Sequence, residues 1–215
     1  MLSKSRDIQL ATNWRVSRVR RSLRRKNIAE LVMFLRARHN ERFFEPIRVL
    51  KGAHGNYQGY GFAMMTLCSL LIETIQSFRD GLPTTYGAEL ARCRRLSRVP
   101  APFQIPSGLR VNGKQAFQRF FRTYRGHFPG VNAIRFYKNV RNGLLHQGQT
   151  KAGWTISQSG PHAFDAASKI IYRNNFTVAL EECFEDYLRE LGNATWTDSV
   201  WVHASRKIWW LIRLS

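Results

Sequence analysis

The chain has 215 residues, 44% of them hydrophobic, enough for one domain with a sizeable core but short for two. Its 34 Lys and Arg against 14 Asp and Glu give a net charge of +20 and a pI near 11.0. That balance excludes an acidic surface and favours polyanionic partners, nucleic acid ahead of an anionic membrane surface.

The three cysteines, Cys68, Cys93 and Cys183, are far apart and form no CxxC or His/Cys cluster. They read as reduced thiols of a cytoplasmic protein, with neither a metal site nor a cofactor expected.

In chain order, residues 1–26 form a basic extension whose "NWRVSRVRRSLRRK" offers little apolar surface, so a solvated tail is expected. No apolar stretch of a secretory signal is present there. From Asn27 the spacing of Ile28, Leu31, Val32 and Leu35 predicts a helix over 27–40 capped by Asn27. "HGNYQG" at 54–59 predicts a turn. The helix after it, 60–79, is apolar nearly all round and interrupted by one acid, Glu73, as befits the central helix of a bundle. Its most apolar run, 61–72, is about half the ~20 residues a spanning helix needs, so no membrane insertion is expected.

Residues 79–113 read as a long basic excursion rich in Pro, Gly and Arg. Two neighbouring helices follow, "GKQAFQRFFRTYRGHF" and "VNAIRFYKNVRNGLLHQ", separated by Pro129 and Gly130. "GWTISQSG" and "SKIIYRN" are expected to pair as a small β-hairpin. The spacing of Val178, Leu180, Cys183, Phe184, Tyr187, Leu188 and Leu191 predicts the last core helix, ending at Gly192. The Trp-rich basic segment 193–215 is left as a tail that packs on the body, meets a partner or is poorly ordered.

The feature that carries chemistry is "RNGLLH", Arg141 to His146. Spacing alone decides nothing: 26 arginines and 6 histidines place about 0.7 such pairs by chance, and Arg122 with His127 is a second. Position is more informative. At 100° per residue Ile134, Tyr137, Val140, Arg141, Leu144 and Leu145 share one half of the wheel, which puts Arg141 in an apolar stripe. An arginine there needs an anion, because an unpaired buried guanidinium loses hydration. Glu73, the lone acid in its own apolar helix, is the candidate within the chain. Arg135, Lys138, Asn142 and His146 form an adjacent polar row.

This segment resembles the hallmark of the HEPN superfamily: an arginine, a polar residue, three to five residues and a histidine, here Arg141, Asn142 and His146. The likeness extends over about residues 27–192, with a long apolar helix upstream and a strand-like piece and a further helix downstream. It implies an all-α fold, a HEPN-like bundle of four to six helices with a small hairpin. It also implies a homodimer in which two motifs meet. The activity implied is metal-independent endoribonuclease, of toxin or antiviral-defence type with an antitoxin or regulatory protein partner.

His146, with an ordinary pKa near neutrality, suits proton transfer between the RNA 2'-hydroxyl and the leaving oxygen. Arg141 suits the nonbridging phosphate oxygens, and Asn142 suits phosphate or the imidazole. Glu73, Tyr137 and Lys138 are expected to support them, and Arg94, Arg95, Arg135 and Lys151 to bind RNA backbone. The alternative is a non-catalytic RNA-binding or protein-interaction module of the same fold; a membrane-surface protein is the third reading.

Overall fold

The computed structural model describes residues 7–53, 58–108 and 111–215. The chain is mostly helical and forms an all-α bundle with two very small sheets. Most of the turn expected at 54–59 lies outside the described residues.

Of the basic extension 1–26, residues 1–6 lie outside the described residues, and the rest is folded, contrary to the solvated tail expected from its charge. A short hairpin pairs β1 (Gln9–Ala11) with β2 (Trp14–Arg15), and Asn13 turns it at φ 64°. Helix α1 (Val16–Arg24) follows. Asp7 accepts bonds from the Ser17 backbone N–H (2.9 Å) and hydroxyl (2.5 Å), so a carboxylate sits where the helix dipole favours one. These hydrogen bonds hold the Asp7 carboxyl below its usual range. Leu10, Ala11, Trp14, Val19 and Leu23 are all buried. Few in number, they fall on one side of the hairpin and helix, which leaves Arg20, Arg21 and Arg24 exposed on the other.

Helix α2 (Ile28–His39) starts at Asn27, whose side chain accepts from the Glu30 N–H as its position predicts. It does not stop at 40. A π-helical turn, Asn40–Phe44, carries it into α3 (Glu45–Gly52). Helix α4 (Gln58–Asp80) is the central element, with Met64, Met65, Cys68, Leu71, Ile72, Ile75 and Phe78 at or near zero exposure. Its Gly59–Asp80 portion is longer than the apolar run in the sequence suggested, and by length and hydropathy alone would cross a bilayer. Here it packs against α3 and the helices described below.

The 79–113 excursion is not wholly irregular. It contains α5 (Gly87–Arg94) and a 3₁₀ turn, Ala101–Phe103. Leu82, Leu90, Val111 and Ala116 make a small second core beneath it. Helix α6 (Gly113–Thr123) begins with a reciprocal capping box between Asn112 and Gln115. Its Phe117 and Phe121 pack on Phe136, which stacks at 5.5 Å on Phe176.

The small sheet corrects the predicted hairpin. The two expected segments do pair, but β3 (Thr155–Ser157) runs parallel to β5 (Ile170–Tyr172). The antiparallel partner of β5 is the two-residue β4 (Phe164–Asp165), which alternation over so short a span does not reveal. Helix α9 (Arg173–Asn193) follows. Its acids are met from other elements: Glu181 by Arg48, Glu182 and Asp186 by His127, Glu185 by Arg36, and Glu190 by Arg79.

Residues 199–214 form α10 (Ser199–Leu214), which packs on α1, α4 and the 3₁₀ turn. Trp201 is fully buried and donates its indole N–H to Leu191 O (2.8 Å); Trp210 donates to Phe103 O (3.1 Å). Of the three fates left open for this segment, packing on the body is the one adopted. With the π turns counted as parts of the helices they join, the described residues hold eight helices where four to six were expected. The additions are α1, α5 and α10.

Candidate functional site

The motif lies on a helix built in three parts: α7 (Ala133–Phe136), a π turn (Tyr137–Arg141) and α8 (Asn142–Gln147). Asn132 caps the start by accepting from the Arg135 N–H (3.0 Å). Gly148, at φ 66°, ends it in the left-handed conformation that favours glycine. Within the π turn the Asn142 N–H bonds to Tyr137 O, five residues back, so one extra residue is accommodated. That insertion shifts the apolar register ahead of it. Phe136 is buried and Ile134 is 43% exposed, the reverse of the ideal wheel; Val140 and Leu144 keep their predicted burial.

Arg141 has its anion inside the same chain. Its Nε donates to Glu73 Oε1 at 2.6 Å, with the two side chains 17% and 13% exposed. Nη1 donates to the Asn142 Oδ1 at 3.1 Å, and the guanidinium lies 5.3 Å from the centre of the Tyr137 ring. The other Glu73 oxygen accepts from the Thr85 hydroxyl at 3.0 Å. A second subunit is therefore not needed to explain the burial of Arg141. Thr85 has no signature in the sequence: it stands in the irregular stretch 12 positions after Glu73, and only the fold returns it.

His146, in the last turn of α8, is exposed and has no hydrogen-bond partner among the described residues. Five positions separate it from Arg141, about 140° on a regular helix, whereas Asn142 is within about 40° of it. The motif thus presents Asn142 and His146 together and turns Arg141 toward α4. Five cavities of about 300–450 Å³ open elsewhere on the described surface, and none is lined by Arg141, Asn142 or His146.

Gly143 is the second residue that motif spacing passes over. The chain after α8 folds back so closely that a Cβ on Gly143 would run into Gln149 O and lie 3.2 Å from the Thr150 Cα. The fold-back is fixed by the Lys151 N–H on Asn139 O (2.7 Å) and by the Thr150 hydroxyl on Trp154 O. A glycine inside a helical pattern is itself a signal of close backbone approach.

Of the residues expected to assist, Glu73 and Tyr137 join Arg141, and half-buried Lys151 lies against the motif helix beside Gly143. Lys138 and Arg135 are exposed on that helix. Arg94 and Arg95 are at the end of α5, where Arg94 donates to Pro106 O (3.2 Å) and borders a different cleft with Trp210. In the second Arg–His pair, Arg122 is exposed, while His127 is held by Glu182 (Nδ1, 3.2 Å) and Asp186 (Nε2, 2.9 Å). The bond from His127 keeps the Asp186 carboxyl below its usual range. That histidine ties α9 to the turn after α6.

Compared with known proteins, the chain matches no family model, no curated protein and no solved structure.

Proposed function

We propose that the protein is a metal-independent endoribonuclease of the HEPN type, working as a homodimer whose site is composed from two copies of the motif. The observation that supports this reading most directly is that one helix carries both an exposed imidazole, His146, with no hydrogen-bond partner among the described residues, and a guanidinium, Arg141, oriented by Glu73.

The chemistry required is attack of an RNA 2'-hydroxyl on the adjacent phosphorus, with loss of the 5'-oxygen. One imidazole takes the hydroxyl proton and a second protonates the leaving oxygen. A single chain supplies one His146, and two chains supply both. Glu73 and Asn142 each hold one side of the Arg141 fork, while Nη2 has no partner among the described residues and is the donor available for a nonbridging oxygen. Asn142 shares the face of His146 and suits the same phosphate. The products are a 2',3'-cyclic phosphate and a 5'-hydroxyl. Pairing of two copies also encloses the motif between them.

Incubation of RNA with wild-type and His146→Ala protein in excess chelator tests this. Cyclic-phosphate ends are expected from the wild type alone. Equal cleavage by both proteins would remove His146 from the reaction. A second reading is favoured by one observation: Arg141 already has a carboxylate partner, as a purely structural arginine would. On that reading the domain binds RNA without cutting it, and His146→Ala leaves a salt-sensitive affinity unchanged.

A further inference from the structure

The cleft between α1, the 3₁₀ turn and α10 lies well away in sequence from the motif, and is built from the two segments whose charge and composition suggested tails together with the 79–113 excursion. Its cavity is about 360 Å³, within the lower part of the range for ligand sites, roughly 300–1,000 Å³. Phe103 and Trp209 line it, stacked on one another with ring centres 5.4 Å apart and planes 9° from parallel. Around this aromatic wall stand Arg20 and Arg24 of α1 and Arg213 of α10. None of the eight lining residues is acidic.

Three features make this a built site rather than a surface hollow. Trp210 fixes the backbone of the 3₁₀ turn by its indole bond to Phe103 O, and the Phe103 ring stacks on Trp209, so the wall is formed before any ligand arrives. Leu23 and Ile212 are buried beneath and anchor the two helices that carry the arginines. All three arginines are exposed, and none makes an ion pair or side-chain hydrogen bond among the described residues. Asp7, whose carboxyl feels the charge of Arg20, is itself engaged by Ser17. The acids of α9, by contrast, are paired with other basic residues. Arg21 and Arg25 extend the positive surface beside the cleft, where they line an adjoining cavity with Arg20 and Arg24.

We infer that this cleft binds single-stranded RNA, taking a nucleobase against the Phe103–Trp209 wall and the flanking phosphates on Arg20, Arg24 and Arg213. The proposal deepens the ribonuclease reading by giving the enzyme a substrate-holding site apart from the motif. The physical basis is the combination of an aromatic face, which any base stacks on, with cations that release phosphate counterions. A deep pocket for an acyl chain would need an apolar tunnel, whereas this wall is two flat rings. Duplex RNA, its bases already stacked, has none to offer it.

The test uses the full chain and a fluorescein-labelled single strand of ~12 nucleotides, a length matched to typical single-strand sites. The strand is 2'-O-methylated so that it cannot be cut by its own 2'-oxygen. Arg24→Ala with Arg213→Ala, both at exposed positions, is expected to weaken binding at least tenfold. It should also lower the slope of log affinity against log salt by about 1.4, the value for two lost phosphate contacts on a single strand. Trp209→Leu, with an unchanged circular dichroism spectrum, is expected to weaken the base-bearing strand but not an abasic strand of equal length.

Wild-type affinity and salt slope in the double variant would overturn the proposal. So would equal affinity for the abasic strand, or capture of phosphatidylserine vesicles without RNA binding. Because the probe cannot be cleaved, this result is independent of the His146→Ala comparison: loss of the reaction and loss of the cleft are read separately.

Discussion

Replacing Glu73 by alanine removes the only carboxylate on Arg141 among the described residues and leaves a guanidinium that is 17% exposed without that counter-charge. Losing one member of a fully buried pair costs roughly 3–5 kcal/mol, and a pair with some solvent access costs less. The partial exposure of both side chains, 17% and 13%, sets the expectation at about 2–3 kcal/mol. Thr85 adds to the loss, because its hydroxyl gives up the Glu73 oxygen it donates to.

Urea denaturation of wild type, Glu73→Ala, Arg141→Met and the double variant gives the coupling between the two residues. A value of about 1–2 kcal/mol is expected, with the double variant less unstable than the two single effects combined. Arg141→Met keeps most of the side chain's packing on Tyr137 while removing its charge, so it separates the ion pair from the contact. Coupling below about 0.5 kcal/mol would refute the reasoning, because contacting charges with shared burial must interact by more than distant sites do.

Two further outcomes follow from particular groups. Gly143→Ala is expected to lower stability by about 1–3 kcal/mol, although alanine in a helix interior ordinarily gains up to ~1 kcal/mol over glycine, since the added methyl meets the Gln149 carbonyl; a raised melting temperature would show that the fold-back gives way freely.

Stability should also change with pH in a defined sense. Burial lowers His39 to about 4 from an ordinary 6.5, so the unfolded chain takes that proton first and stability falls as pH drops from 6.5 toward 4. Burial, with Arg38 nearby, lowers Lys207 to about 7 from 10.5. The unfolded chain therefore holds that proton at higher pH than the native state, and stability rises with pH above 7. The rise is checked near pH 9, the ordinary thiol value, above which the unfolded chain ionises Cys68 and Cys183 while burial keeps both native thiols protonated. Melting temperatures across pH 4–10 should peak near pH 9, and Lys207→Met should flatten the climb between 7 and 9; a flat wild-type profile there would remove Lys207 as its source.

What the sequence by itself determined is the local part of this protein. The Asn27 cap, the central apolar helix, the two Phe- and Arg-bearing helices and the α9 stripe follow from patterns within one or two turns, where propensity and burial agree. The Glu73–Arg141 pairing was also legible, because a lone charge in each of two apolar stripes has few ways to be satisfied. The tertiary structure decided what depends on residues far apart in the chain. Arginine density disguised the N-terminal helix as a tail, since charge is averaged over a segment whereas burial needs only a few correctly spaced apolar side chains such as Val19 and Leu23. The Trp-rich end offered apolar mass with no sign of its partner, which proved to be α1, α4 and the 3₁₀ turn. The π turn at Tyr137–Arg141 rotated the motif helix by an insertion that no 100° wheel anticipates, and Thr85 and Gln149 reached Glu73 and Gly143 only through the path of the chain. Contacts of that kind are set by packing, and packing is a property of the whole fold.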